Sequence, residues 1–287
     1  MLEYKQLMGT NVTTSRNSAT SSELIPAASF AALDVAILPP APVLSGLIQC
    51  LWAIRACQGP ALAAVEKLYP DAGSSLTFEF SPQGARATFC HHSTVLPHTW
   101  YSDTDYISVR FRPGGAKALL GLAVEDTQTI DLPLSCAAGY SHLNWQALTD
   151  ALFTTVHQNR AGVLYRWLLS QLHRQSNRKN PWPSLINYAS SALITPQALA
   201  EYAGMSRRTL ERQLKTDVGF SPAQIRSFAQ IRRARQLLIQ SNHSLSDIAL
   251  QCAFFDQAHF TNVFRAHTQE TPHQYQIRKL SHISNLS

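Results

Sequence analysis

The stretch "AGMSRRTLERQLKTDVGFSP" (203–222) is ambiguous when read alone. Leu210 and Leu214 fall on one helical face, and Arg208, Glu211, Arg212 and Lys215 recur at i, i+3, i+4 and i+7 on another. That pattern suits a solvated amphipathic helix as well as one built to lie in a DNA groove. The preceding residues narrow the choice. Thr195 and Pro196 read as the cap and first turn of an upstream helix that carries Leu199 and Ala200 inward. Gly204 stops that helix, because glycine tolerates the left-handed conformation a tight turn needs. Ser206 then caps the basic helix. Ala200, Gly204 and Leu210 stand at relative positions 0, +4 and +10, which is helix-turn-helix spacing: a small residue for close approach, a turn, and an apolar lock.

The chain states this pattern twice. A shift of 50 carries Leu210 to Phe260, Leu214 to Phe264, Lys215 to Arg265, Ser221-Pro222 to Thr271-Pro272, and Ile225 to Tyr275. Upstream, "LSDIALQCAFFDQAHF" (245–260) repeats the cap, the inward Ile248-Ala249 and the turn. Here Ala249 to Phe260 is +11, so the second turn is expected to be one residue longer. A fixed period across several elements implies duplicated units. Between them the sequence predicts a helix from about Pro222 to Gln240. At about 1.5 Å per residue this rod is roughly 28 Å long. Major-groove faces recur every ~34 Å on one side of a duplex, so two recognition helices on one rod suit successive grooves.

Charge agrees with this placement. Residues 183–287 carry eleven Lys and Arg against six Asp and Glu, most of the net +6 of the 287-residue chain. A basic third on a near-neutral body suits a polyanion. Five scattered Cys without a CxxC pair suggest neither a disulfide framework nor a four-Cys zinc site, and fit a reducing cytoplasm. The N-terminus lacks the apolar stretch of a secretory signal, and no apolar run reaches the roughly 18 residues of a membrane span.

The organisation reads as α+β in two domains. Residues 1–29, rich in Ser, Thr and Asn, are expected to form a flexible arm. Residues 30–174 form the next unit. "SSLTFEF" (74–80) alternates Leu76, Phe78 and Phe80 on one face, and "DYISVRFRP" (105–113) sets Ile107, Val109 and Phe111 against Ser108, Arg110 and Arg112. Both read as half-buried strands. "LSGLIQCLWAI" (44–54) fits a helix or a buried strand, and "GGAKALLGL" (114–122) a short helix. Two helices follow, with Leu148, Leu152 and Val156, then Val163, Trp167, Leu168 and Leu172, joined near Asn159–Gly162. They form either a core-packing pair or a dimerisation face. The polar "RQSNRKNPWP" supplies a linker over 175–183, and 184–287 is all helical.

These motifs carry a resemblance. Residues 195–276, through "MSRRTLERQLKTDVGFSP", "LSDIAL" and "FFDQAHFTNVFRAHTQETPHQY", resemble the DNA-binding domain of AraC/XylS-family transcription regulators. More loosely, "LYPDAGSSLTFEF" and "VRFRPGGAKALLGL" resemble an N-terminal domain of some members. The resemblance implies sequence-specific binding of double-stranded DNA, with effector sensing or dimerisation by residues 30–174. Further partners under this reading are RNA polymerase, a small-molecule effector and a second copy of the chain; no membrane partner is expected. Four positions depart from the family pattern: Ala253 and Gln269 replace glycines, Asn262 a basic residue, and Gln230 an arginine.

By the same resemblance, Arg208, Glu211 and Arg212 face the groove in the first unit, and Gln257, Ala258, His259, Thr261 and Asn262 in the second. Arg pairs with guanine, Asn or Gln with adenine, and Glu with cytosine. Ser206, Arg207, Lys215 and Arg265 are phosphate candidates, whereas Asp256 is expected to cap its own helix. Each Arg has a solvated surface charge as its alternative, and His259 has plain packing. Arg110 and Arg112 are read as structural strand-end residues or as holders of an anionic effector. "CHH" (90–92) with His98 is the one metal-like cluster, otherwise a strand edge or pocket lining. No GxSxG, P-loop or HExxH is present, and no catalytic residue, metal or cofactor is expected. The alternatives to a ligand-sensing regulator are a DNA-binding protein with N-terminal enzymatic activity, metal-dependent or otherwise, and an effector-independent regulator.

Overall fold

The computed structural model describes residues 35–57, 62–122, 129–132, 144–174 and 180–284. The expected arm, Cys136 and residues 175–179 of the expected linker lie outside the described residues.

The N-terminal part is a twisted antiparallel sheet backed by helices. Its strands are β1 (Val35–Leu38), β2 (Ile48–Ile54), β3 (Ala63–Leu68), β4 (Ser74–Ser81), β5 (Gly84–Cys90), β6 (Leu96–Tyr101), β7 (Asp105–Phe111) and β8 (Thr129–Leu132). Six of them form one sheet in the order β1-β2-β7-β4-β5-β8, and β3 pairs with β6 in a second. Within the stretch 44–54, Ile48–Ile54 becomes a buried strand, preceded by a turn. Its register against β7 sets Leu51 opposite Val109, and that of β4 sets Leu76 opposite Val109 and Phe78 opposite Ile107.

Period-2 alternation builds the core. Leu76, Phe78, Phe80, Ile107, Val109 and Phe111 all enter one cluster. Helix α1 (Gly115–Leu120) joins it. So do α2 (Trp145–Thr154) and α3 (His157–Arg174), through Leu148, Leu152, Leu164 and Leu168. The helical pair therefore packs on the sheet. Its joint lies at Thr155–Val156, earlier than the expected Asn159–Gly162, and Val156 is 67% exposed. The reason is Arg160, which would sit in the expected loop. It is buried, donates from Nε to Leu152 O at 3.0 Å and from Nη1 to Asp105 Oδ2 at 2.8 Å, and lies over the Phe80 ring.

The strands are not half-buried as their alternation suggests. Thr77 and Ser108, on the polar face, are buried as well. Their hydroxyls bond each other at 2.9 Å, and Ser108 also donates to Leu76 O, so burial leaves no unmet donor there. The second sheet and the C-terminal helices cover this face.

Seven helices complete the chain: α4 (Trp182–Ala192), α5 (Pro196–Tyr202), α6 (Arg207–Val218), α7 (Pro222–Gln240), α8 (Leu245–Gln251), α9 (Gln257–Thr268) and α10 (Pro272–Ser284). The predicted rod of Pro222–Gln240 is α7, opened by a capping box between Ser221 and Gln224. It threads two cores. Ile225 and Phe228 join the first, with Leu199, Leu210 and Leu214. Ile231, Ala234 and Leu238 join the second, with Ile248, Phe260, Phe264 and Tyr275. The two cores are the two copies of the repeat. Among the described residues, no helix is long and apolar enough to cross a membrane.

Candidate nucleic-acid interface

Each unit is positioned by caps written in its sequence. Thr195 Oγ1 accepts from Ala198 N at the start of α5, and Ser206 Oγ accepts from Thr209 N at the start of α6. The turn between them closes by Met205 N donating to Ala200 O and Gly204 N to Glu201 O, with Gly204 at φ 64°. That is a Schellman closure around a left-handed residue. The second unit repeats it: Phe254 N donates to Ala249 O and Ala253 N to Leu250 O, with Ala253 at φ 56°. The position keeps its left-handed geometry without a glycine. So does Gln269, at φ 59°, where the first unit has Gly219 at φ 85°. The second turn runs from Cys252 to Asp256 and the first from Ala203 to Ser206, one residue shorter.

The outer faces differ. On α6, Arg207, Arg208, Glu211, Arg212 and Lys215 are all exposed. Arg208, Glu211 and Arg212 have no ion-pair or hydrogen-bond partner for their side chains among the described residues. On α9, Gln257, Ala258, His259, Asn262 and Arg265 are exposed and Thr261 is half-buried. Three of these are already engaged. Gln257 Oε1 accepts from Ser246 Oγ at 2.7 Å, His259 Nδ1 from Phe255 N at 3.3 Å, and Thr261 Oγ1 donates to Gln257 O at 2.8 Å. Asp256 caps α9, its Oδ1 accepting from His259 N at 2.6 Å. Ser206 is likewise occupied as a cap, which leaves its helix N-terminus, rather than its hydroxyl, to meet a phosphate.

One surface residue was not singled out from sequence. Phe255 fills the extra position of the longer turn and is 91% exposed beside the N-terminus of α9. The available signal was an aromatic residue at an inserted turn position.

The effector candidates separate in space. Arg110 lies on the polar face of the sheet, bonded to the Asp71 carboxylate and to Ser75 Oγ. Burial raises the Asp71 pKa, but the adjacent guanidinium outweighs it and holds the carboxyl below its ordinary value. Arg112 instead donates to Ser45 O in a nearby loop. Arg110 borders a cavity of about 530 Å³ between the sheet and α7. Its walls include Trp52, Thr77, Thr88 and His98 on one side and Phe228, Arg232 and Arg235 on the other. Cys90 and His92 line it too, whereas His91 faces away and packs on Phe220 at 4.5 Å between ring centroids. Among the described residues, no three His, Cys, Asp or Glu side chains converge as a metal set.

Comparison with known proteins supports the C-terminal reading. Residues 199–278 match a helix-turn-helix domain family, and residues 36–131 match a domain of unknown function (DUF6597). The HTH-type transcriptional activator RhaS of Salmonella arizonae is 40% identical over 76 residues, 26% of this chain and 27% of RhaS. The match thus spans about a quarter of that relative's length. An AraC-type regulator structure from Chromobacterium violaceum is 31% identical over 33% of this chain and 92% of its own, with TM-score 0.31. ToxT from Vibrio cholerae is 9% identical over 76% of this chain and 97% of its own, with TM-score 0.39.

Proposed function

From a C-terminal domain that is a double helix-turn-helix of the AraC/XylS type, we propose that the chain is a transcription regulator that binds double-stranded DNA sequence-specifically. The carrying observation is that α6 and α9 each present an outer face of polar side chains and hang on one rod, α7. In this reading Arg208, Glu211 and Arg212 read bases from α6. Asn262 reads from α9, with Gln257, Ala258, His259 and Thr261 shaping that face. Phe255 offers an apolar contact to a thymine methyl. Arg207, Lys215, Arg265 and the α6 N-terminus at Ser206 hold phosphates. A site beside a promoter brings the chain next to RNA polymerase. Selection of bound DNA from a random pool, followed by footprinting, tests this. Two protected major-groove stretches about one helical turn apart on one side are expected; selection of no consensus overturns it.

The N-terminal part, in the same reading, senses a small effector in the cavity between the sheet and α7. The cavity favours this over a part that only dimerises, since a mostly apolar wall with a few hydroxyls and cations around a space of 530 Å³ suits a small ligand with an apolar body and polar groups. Arg110 serves there as a wall residue rather than as a free cation. Thermal melting of the full chain against a metabolite library tests it, because a ligand that binds the native state raises the melting temperature. A library without a stabilising compound favours the effector-independent regulator.

A further inference from the structure

Two lysines of the N-terminal part grip the two recognition helices in the same way. Lys117, in α1, donates to Thr216 O at 2.7 Å and to Asp217 Oδ1 at 2.9 Å, at the C-terminal end of α6. Lys67, in β3, donates to Thr268 O at 3.1 Å and pairs with Glu270 Oε1 at 3.0 Å, at the C-terminal end of α9. A helix C-terminus exposes unpaired carbonyls and a partial negative charge, and an ammonium satisfies both.

Each grip is reinforced. Asp217 Oδ2 accepts the Trp182 indole N–H at 3.1 Å. Glu270 is held by Nε and Nη2 of Arg278, whose Nη2 also donates to the hydroxyl of Tyr69 at 3.1 Å. Between the lysines, the loop 69–73 reaches into both cores. Tyr69 packs against the second-unit cluster and Ala72 belongs to the first. The Arg110–Asp71 pair fixes this loop to the sheet, and Gly73 sits where a Cβ would come within 2.8 Å of Phe111 O.

We propose that Lys117 and Lys67 are positioning residues for DNA recognition, one for each recognition helix, so that the N-terminal part sets the spacing and tilt of the two. The proposal rests on the DNA-binding reading above and adds what the N-terminal part contributes to it. Neither lysine lies on the outer faces of α6 and α9, so neither acts by touching DNA. Lys67 also lines the cavity and Lys117 does not, so a ligand there touches the second grip directly and the first only through the loop 69–73.

The test uses the full chain and the DNA site selected by the wild type. Affinity is measured on that site, on versions with one base pair added or removed between the two groove contacts, and on random DNA. For Lys117→Met and Lys67→Met, roughly tenfold weaker binding to the native site is expected, with a reduced preference for native spacing. Affinity for random DNA and its salt slope stay unchanged. Lys117→Arg and Lys67→Arg restore the spacing preference. Asp217→Asn and Glu270→Gln reproduce the loss from the helix side, which guards against a lysine variant that fails to fold. Unchanged spacing preference in folded Met variants overturns the proposal, as does a shallower salt slope on random DNA, which marks a phosphate contact. A wild type that selects no sequence overturns the DNA-binding reading itself and this inference with it.

Discussion

Gln230 Nε2 donates to the backbone carbonyls of Cys252 and Ala253, each at 3.0 Å, and so ties the linker helix to the longer helix-turn-helix turn. Both Gln230 and Ala253 are positions where the chain departs from the AraC/XylS pattern, and the two departures meet in space. A left-handed non-glycine residue costs roughly 1–2 kcal/mol, partly offset by the roughly 0.5–1 kcal/mol of chain entropy a glycine would lose. Ala253→Gly is therefore expected to stabilise the chain by up to about 1 kcal/mol, read as a higher denaturant midpoint at unchanged slope. Gln230→Ala strips the buried Cys252 carbonyl of its donor and is expected to cost about 1–3 kcal/mol. A neutral Gln230→Ala would show that the tie carries no stability.

Arg212 and Lys215 lie three residues apart on α6 and are both exposed, yet their expected roles differ. Arg212→Ala is expected to weaken a cognate site by roughly 1–3 kcal/mol and to relax preference at one base pair. Equal losses on cognate and random DNA would remove it from base reading. Lys215→Ala is expected to weaken all sequences alike, with the salt slope falling by about one unit. A slope that does not move would rule out its phosphate contact.

Local chemistry made the C-terminal third legible. Caps at Thr195 and Ser206 and the apolar locks Leu210 and Phe260 are short-range signals, and each sits where the sequence places it. The strands of 74–80 and 105–113 were legible by the same token, through period-2 alternation. Their burial on both faces was not, because Thr77 and Ser108 read as solvent-facing until distant segments cover them. The Lys67 and Lys117 grips were equally hidden. They join residues 201 and 100 positions apart, and an isolated lysine carries no sign of its partner. The early start of α3 turned on Arg160, a charged residue whose burial depends on Asp105 and Phe80.

The two recognition helices should differ in how strictly they read. On α6 the candidate side chains are open, whereas on α9 Gln257, His259 and Thr261 already hold partners within the protein. Single base-pair substitutions beneath α6 are expected to cost roughly 1–3 kcal/mol each. Those beneath α9 should cost less, with the exception of a thymine facing Phe255. A scan of every position in the selected site by fluorescence anisotropy measures this directly. Equal penalties under both helices would mean that Gln257 and His259 exchange their internal bonds for bases.

His91 gives the chain a pH dependence that runs through the contact between its two parts. Its ring packs on Phe220, and burial depresses its pKa from 6.5 to about 4, with His92 and Arg110 adding to the shift and the Gly73 backbone and Asp71 opposing it. The folded state therefore holds the neutral ring, whereas the unfolded chain protonates near 6.5. Stability from this group is fully present above about pH 6.5 and drains away as pH falls toward 4, by an amount on the order of 3 kcal/mol. Asp71, whose pKa is also lowered, adds to the loss at still lower pH. His91→Phe keeps an aromatic ring against Phe220 and removes the titration. Its unfolding free energy is expected to decline less steeply than that of the wild type between pH 6.5 and 4.5, the remaining slope coming from His92 and His98, whose pKa values burial also lowers. Parallel curves for the two proteins across that range would place the acid sensitivity elsewhere.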